Sequence, residues 1–576
     1  MGWARLSSRI RLLLVFLVVL LVQVVFMFQG LDLTDLGWHL TDQMRLVEYS
    51  EFGSLDWSFP LSNCIGGLWL LLPGSPSVLW ARLGGALIGA TNAGLVYSIL
   101  SRHFDRGEVA LLAIGTGVLI SGAAATMIID YFTFPALVLS IELWLLDRLL
   151  NRPSSKERSV CGFLMGALLI LSVFGRMTLL LMAAFPISLL LYGRITEVEI
   201  DLNGVCVWII AGALASSAAV LGSFWAIGIL RPLLDQISSV LLGQGELAQH
   251  DIGRLLTLYL ADARRIVART SILVALGYGI WRIRGAKGSK VAICVASVVV
   301  LSGLLVGVEL SELGIIKIRL AREISRVFTG LVSLALGLSI IRGEDRSAHL
   351  DILSLGALWI MLLTPMGSNT GFHKSLFGMW VALPLAVLRT GCLAERSQWR
   401  FIKEVYKHLR PVCVGLLAFS LVVMWFSVYR DANRLELTSS FSHPALFGIF
   451  STSERTVAVD GIVSSIENRT RKGDMTLLVN YVPLLYYLTE TRPALKESWP
   501  FLLSLDSIEK LQSDLEDLPR LFGYAKGFPG DPTWPRQVDG VRVVDREKLE
   551  FLSEIFLENL GYDLAYESDE FVLYCR

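Results

Sequence analysis

Long apolar runs constrain this chain more than any motif does. A helix needs roughly 20 predominantly apolar residues to cross a bilayer's hydrocarbon, and runs near that length recur from Leu12 to about residue 428. The sequence predicts spans at 11–29, 62–73 with 77–100, 109–128, 133–150, 159–175, 177–193, 205–229, 268–282, 290–308, 326–341, 352–365, 375–390 and 411–428. Pro73, Gly74 and Pro76 interrupt the second of these, so 62–73 reads either as a short interfacial helix or as a re-entrant one. Only Arg176 separates the runs 159–175 and 177–193. With 54% hydrophobic residues the composition agrees with an α-helical polytopic membrane protein of about 11–13 transmembrane helices.

Lysines and arginines orient the bundle. Basic clusters fall at Arg148/Arg152/Lys156/Arg158, at Arg282/Arg284/Lys287/Lys290, and from Arg389 through Arg396, Arg400, Lys403 and Lys407 to Arg410. Cytoplasmic loops carry such an excess, and Arg5, Arg9 and Arg11 put the N-terminus on the same side. The first run ends Phe-Gln-Gly-Leu-Asp with no small-residue cleavage site, so it reads as a retained span. Segments 30–61, 129–132, 230–267, 309–325 and 366–374 are then expected to face outward, with everything after Tyr429. The predicted location is a cell inner membrane, multi-pass, with a cytoplasmic N-terminus. Segment 309–325, with Lys317, Arg319 and Arg322, reads as an amphipathic stretch suited to the interface.

Positive and negative side chains balance at 51 each, which gives no general attraction to nucleic acid. The seven cysteines are scattered without a CxxC or Cys/His cluster, so neither a disulfide framework nor a zinc motif is indicated. From residue 431 the apolar runs shorten and charge rises. The division expected is 1–430 as the transmembrane module and 431–576 as an extracytoplasmic α/β domain. Its predicted helices are 460–468, 483–489, 507–517 and 546–559; its predicted strands are 475–480, 541–544, 564–567 and 571–575.

Two acidic places stand out. Asp32, Asp35, His39 and Asp42 follow the first span directly. Asp130 sits in a very short link, Met127-Ile-Ile-Asp-Tyr-Phe-Thr-Phe-Pro135, and is the only charge between Glu108 and Glu142. Solvation at a membrane surface, or a turn role for Asp130, are the plain readings. Acids at membrane depth are functional hypotheses by default.

These acids carry a resemblance. The chain is similar to the GT-C glycosyltransferase superfamily, the multispan enzymes that take sugar from a polyprenyl-phosphate carrier, and within it to bacterial family 39 relatives such as protein mannosyltransferases and the aminoarabinose transferase of lipid A. The family's first outward loop holds an acidic motif, often Asp-Glu; Thr34-Asp-Leu-Gly-Trp-His39 fills that place, with Leu36 where the second acid would stand. Asp130 and Pro135 match an acid preceding a later span. Arg176 matches a cation between paired short helices, and Pro365-Met-Gly-Ser-Asn-Thr-Gly-Phe-His-Lys374 matches a late polar loop. Gly473-Asp-Met-Thr-Leu-Leu-Val-Asn-Tyr-Val-Pro483, continuing to Thr489, resembles a recurrent C-terminal segment.

The resemblance implies a membrane glycosyltransferase, a hexosyl- or pentosyltransferase of the inverting type. It would move sugar from a polyprenyl-phosphate-linked donor to a glycan, lipid or protein acceptor on the extracytoplasmic face. It implies Asp35 as general base and Asp130 as a second catalytic acid or acceptor-positioning group. Asp32, His39, Arg176, Arg264, Arg265, His373 and Lys374 are the candidates for substrate binding, the cations facing the leaving phosphate. For Arg264 and Arg265 individually, interfacial snorkelling is the plainer reading. Asp32, Asp35 and Asp130 offer the hard oxygen atoms a divalent cation takes, but they form no compact ligand string and no metal site is assigned. A polytopic transporter or flippase is the main alternative. It would carry charges along a path inside the spans and often internal repeats, whereas the acids here gather at one membrane face.

Overall fold

A computed structural model describes residues 6–51, 58–73, 77–123, 127–151, 154–195, 202–241, 252–283, 313–342, 348–368, 371–396, 400–426, 428, 430–495, 497–500, 519–526, 550–555 and 560–576. The helical part runs α1 (Ser8–Met27), α2 (Asp35–Met44), α3 (Pro60–Leu70), α4 (Val78–Leu100), α5 (Arg106–Ala123), α6 (Thr133–Leu150), α7 (Ser155–Gly175), α8 (Ala184–Ile195), α9 (Leu202–Ala226), α10 (Leu230–Leu241), α11 (Ile252–Ile283), α12 (Leu313–Arg342), α13 (Ala348–Leu363), α14 (Met379–Arg396) and α15 (Arg400–Phe426). Among the described residues, six helical stretches are long and apolar enough to cross a membrane: Ser8–Met27, Val78–Leu100, Ser155–Gly175, Gly204–Ala226, Glu323–Ile341 and Gly371–Cys392.

Which faces are greasy says why these helices need lipid. On α1, Val15, Val19 and Phe26 are buried, while Leu13, Leu17, Leu21 and Val25, spaced four apart, are exposed. On α9, Val207, Trp208, Ile210, Leu214 and Trp225 are exposed. Apolar stripes of this extent have no place against water, and the helices satisfy their own backbones as hydrocarbon demands. The chain is a multi-pass membrane protein.

The spans differ from expectation in instructive places. Arg176 breaks the paired apolar runs because its backbone is extended (φ −161°, ψ 108°); a 3-10 turn, Met177–Ala183, then leads into α8. The interrupted run resolves into α3 and α4, closed by Trp69 and Trp80, whose rings stack at 4.7 Å and exchange indole N–H bonds to each other's carbonyls. Span 268–282 is the end of the longer α11, and 309–325 runs into α12 from Leu313 onward. The expected span 290–308 lies outside the described residues. Arg389 is not a loop cation: it is fully buried within α14, donating to Asp351 at 2.6 Å and to Ser354 at 2.9 Å. Arg400 to Arg410 likewise belong to helix α15 rather than to a loop.

Past α15 the chain forms α16 (Ser453–Glu467), α17 (Leu484–Leu488) and a five-stranded mixed sheet. The strand order is Arg492–Pro493, Met475–Val479, Leu521–Ala525, Phe571–Cys575, Asp563–Glu567; the first three are parallel and the last two pairings antiparallel. The α/β character is as expected. The central strand Leu521–Ala525 is additional, and 507–517 and 541–544 lie outside the described residues. Of 546–559, residues 550–555 are described and helical.

The segment after α1 is wedged between bundle and sheet. Leu31, Leu33, Leu36, Leu40 and Met44 share one buried cluster with Leu446, Ile449, Val482 and Leu484. Backbone bonds join the two parts, Gly30 N–H to Phe450 O at 2.8 Å and Leu484 N–H to Leu33 O at 3.0 Å. Asp431, paired with Arg455 inside this junction, accepts from the Leu31 N–H at 2.8 Å.

Candidate active site

The residues after α1 turn sharply because Asp32 ties the turn together. Its carboxylate accepts from Thr34 N–H (3.0 Å), Thr34 Oγ1 (2.6 Å) and Leu36 N–H (3.1 Å). That fixes the start of α2 and leaves Asp35 in its first turn, where the helix dipole favours a carboxylate. Helical spacing puts His39 one turn beyond Asp35 on the same face. Gly37 lies between them because α2 runs against the sheet part: a Cβ there would sit 2.1 Å from Leu484 N. Arg430 bridges the two acids, 3.5 Å from Asp32 Oδ1 and 3.6 Å from Asp35 Oδ2. Burial pushes the Asp32 carboxyl above its usual range, with Arg430 pulling the other way and Asp35 adding to the rise. Asp35 is the more open of the two, its side chain 25% exposed against 2% for Asp32.

The link carrying Asp130 is a polar knot. Asp130 Oδ1 accepts from Phe132 N–H (2.8 Å) and Thr133 N–H (2.7 Å), capping the start of α6, and its own N–H donates to Thr133 Oγ1 at 2.9 Å. Asp130 is buried. The turn role weighed from sequence is therefore present, and it falls on Oδ1, one of the two carboxylate oxygens. Gln43 of α2 donates to Ile129 O at 2.8 Å, locking the link against α2.

What the knot presents is the pair Tyr131–Phe132. Tyr131 stacks on Phe59 at 4.8 Å and lies 5.1 Å from the His39 ring and 6.4 Å from Trp38. The Arg176 guanidinium lies 5.2 Å from the Tyr131 ring and 4.6 Å from Phe132; the Lys374 ammonium is 4.9 Å from the same Phe132 ring. Such distances are within cation–π range. Arg176 is buried, and its fork donates to the carbonyls of Thr364 (2.6 Å) and Met366 (3.0 Å).

The loop that brings Lys374 is held from α11. Asp262, fully buried, accepts from Phe372 N–H at 3.0 Å and pairs with Arg326 at 2.9 Å. Gly371 takes a left-handed φ of +75°, and a Cβ on it would meet Asp262 Oδ2 at 2.2 Å, so the loop can approach only as glycine. Tyr259 donates to Pro365 O and Ser368 O, and Ser325 to the His373 carbonyl. Arg264 and Arg265 sit inside α11, just before its part 268–282, and are exposed, Arg265 3.4 Å from Asp262.

Thus Asp35 and His39 on α2, Asp130 with its two following aromatics, Arg176, and the His373–Lys374 loop belong to one end of the bundle, linked through Tyr131 and Phe132. Arg430, Tyr131, Phe132 and Asp262 were not singled out by the sequence. Arg430 carried a signal only in retrospect, as an arginine directly after the last span. Trp499 packs edge-on to Trp38 at 6.5 Å and Tyr481 to Trp499 at 5.5 Å, so these rings join the sheet part to α2. Where Asp32, Asp35 and Asp130 offer oxygens for a cation, Arg430 already supplies positive charge to two of them. Among the described residues, the one group of three side chains close enough to share a metal lies elsewhere, at His103, Asp147 and His349.

No protein family and no curated protein matches the chain in sequence. Solved structures do match in shape. The apo oligosaccharyltransferase of Archaeoglobus fulgidus superposes with a TM-score of 0.50 at 11% identity, covering 99% of this chain and 81% of that one. The same protein in complex with Zn and sulfate gives 0.48 at 11% identity, over 89% and 68%. ArnT from Cupriavidus metallidurans bound to undecaprenyl phosphate gives 0.43 at 12% identity, over 99% and 98%. The chain shares its overall fold with the archaeal oligosaccharyltransferase.

Proposed function

We propose that this protein is a membrane glycosyltransferase that moves a sugar from a polyprenyl-phosphate-linked donor to an acceptor at the extracytoplasmic face. The observation that carries the reading is the meeting at Tyr131 and Phe132 of an acid-bearing helix with two cations from distant parts of the chain. Sugar transfer with inversion needs a base on one side of the sugar and charge stabilisation for the departing phosphate on the other. Asp35 serves as the base, being an ion-paired carboxylate with part of its side chain still open. Lys374 and Arg176 face the phosphate across Phe132, with Arg176 also holding the 364–366 backbone. The sugar lies against Tyr131, with His39 within reach of it. Asp130 acts by fixing Tyr131 and Phe132. Asp32 orients Asp35 through the turn and Arg430.

Residues 431–576 form an extracytoplasmic domain that caps the site, since they bury the first outward segment that carries Asp35. The membrane is read as a cell inner membrane, with the N-terminus cytoplasmic, a side supported by Arg5, Arg9, Lys156 and Arg158.

Purified protein in proteoliposomes, given a radiolabelled polyprenyl-phosphate sugar and a mixed acceptor extract, tests this. Asp35→Asn is expected to lower transfer roughly 10²–10⁴-fold with insertion and thermal unfolding unchanged. Full transfer by that variant rejects Asp35 as base. Label that crosses the bilayer still attached to its carrier, with no transfer by the wild type, supports a flippase instead.

A further inference from the structure

The far end of the bundle holds a second cluster with different chemistry. His103 follows α4, Asp147 lies near the end of α6 and His349 lies at the start of α13. Helices α6 and α13 reach Asp130 and Thr364 at their other ends, so this cluster is opposite the candidate active site. His103 Nε2 lies 2.7 Å and His349 Nε2 3.1 Å from the same oxygen, Asp147 Oδ1, and the two imidazole rings meet edge to face at 4.7 Å. The ligand atoms of all three lie within 4.8 Å of one another. Arg102 donates to the other oxygen, Asp147 Oδ2, at 2.7 Å, and Asn151 to the Asp147 carbonyl at 2.8 Å and to Oδ1 at 3.4 Å.

We infer that His103, Asp147 and His349 form a binding site for a borderline divalent cation, Zn2+ by preference, that cross-links three separate helix ends. Three observations lead there. A purely hydrogen-bonded reading crowds Asp147 Oδ1: a carboxylate oxygen has two lone pairs, and three donors converge on it. A metal on Oδ1 takes the place of two of them and turns both imidazoles into ligands through their Nε2 lone pairs. Ligand atoms on tetrahedral zinc stand about 3.3 Å apart at bond lengths near 2.0–2.1 Å; the 2.7 and 3.1 Å separations would open by about 0.2–0.6 Å, and the widest, up to 4.8 Å, would close by about 1.5 Å through rotation of the part-exposed imidazoles. The donor set of two imidazoles and one carboxylate suits zinc and its neighbours over calcium or magnesium. Arg102 then acts as the outer partner that aims the carboxylate, as such partners do at metal sites. Asp147 is fully buried whereas His103 and His349 keep 14% and 19% exposure, so an ion has a way in and water can fill the fourth position.

The site would be structural. It fastens the α4–α5 corner and α6 to the start of α13, and it is independent of the transferase reading. The full chain in detergent, stripped with chelator and dialysed, is titrated with Zn2+ and, separately, with Co2+. We expect one tightly bound Zn2+ per chain by elemental analysis, and visible absorption bands of tetrahedral Co2+. At a free Zn2+ concentration a hundred times the Kd, the folded population should rise about a hundredfold relative to the unfolded, read as a higher Tm. His103→Ala and His349→Gln should each abolish the stoichiometric binding and the Tm rise, while His443→Ala, a histidine paired with Glu467 in the sheet part, should leave both intact. Wild-type protein that binds less than one Zn2+ per chain and shows no tetrahedral Co2+ spectrum overturns the inference. So does binding that survives both histidine substitutions.

Discussion

The two ends of the helical bundle use the same residue types in opposite ways. At the far end the ion pairs are close: Arg389 to Asp351 at 2.6 Å and Arg102 to Asp147 at 2.7 Å. At the site end close pairs such as Asp262–Arg326 also hold the frame, but the charges around Tyr131 and the α2 acids differ: Arg430 stands 3.5 and 3.6 Å from Asp32 and Asp35, and Arg176 and Lys374 lie over aromatic rings. Close pairs fix helices relative to one another. On the function proposed above, the cations set over rings and the carboxylates held at longer range are the charges a substrate meets. The comparison teaches that charge within this bundle should not be read as function wherever it occurs; the geometry of its partner decides.

The comparison can be broken by substitution. Arg389→Ala leaves Asp351 as an unpaired buried charge and should destabilise the protein by about 3–5 kcal/mol; denaturant unfolding in detergent measures this, and a loss below about 1 kcal/mol would mean that the far-end pairs are not structural. Lys374→Ala should lower transfer roughly a hundredfold by removing one cation facing the phosphate, with its effect seen in donor rather than acceptor dependence and with little change in unfolding. An equal loss in both dependences would detach Lys374 from the donor. Arg430→Ala should cost less stability than Arg389→Ala, because Arg430 is itself part-exposed and buried Asp32 keeps its three other hydrogen bonds, while reducing transfer more than it reduces folding. A large loss of stability would make Arg430 a far-end type of residue in the wrong place.

Much of the helical architecture was legible in sequence because apolar length is a local property. Runs such as 78–100 and 155–175 need no partner to be read. Helix α2 was not legible as a helix: Asp35-Leu-Gly-Trp-His-Leu-Thr-Asp-Gln-Met44 holds a glycine and mixed polarity, and its burial comes from residues 446–488 of the sheet part. The strand Leu521–Ala525 escaped for the same reason. It is short, contains Gly523, and pairs with Met475–Val479 and Phe571–Cys575, each more than 40 residues away. Asp35, Asp130 and Arg176 were found because each interrupts an apolar context. Arg430 and the His103–Asp147–His349 group were not, since their partners are separated along the chain by hundreds of residues or by whole helices. The cytoplasmic-loop reading of Arg389 failed because loop charge and a buried helix charge look alike until Asp351 is seen beside it.

The account rests on a lipid phosphate docking beside Phe132. A photoreactive polyprenyl phosphate, cross-linked to the protein in nanodiscs and mapped by peptide mass spectrometry, asks this directly. The expected adducts fall on segments 130–134 and 371–378 and disappear when unlabelled polyprenyl phosphate is added in excess. Competed adducts confined to the segments around His103 and His349, with none at Phe132 or Lys374, would contradict it.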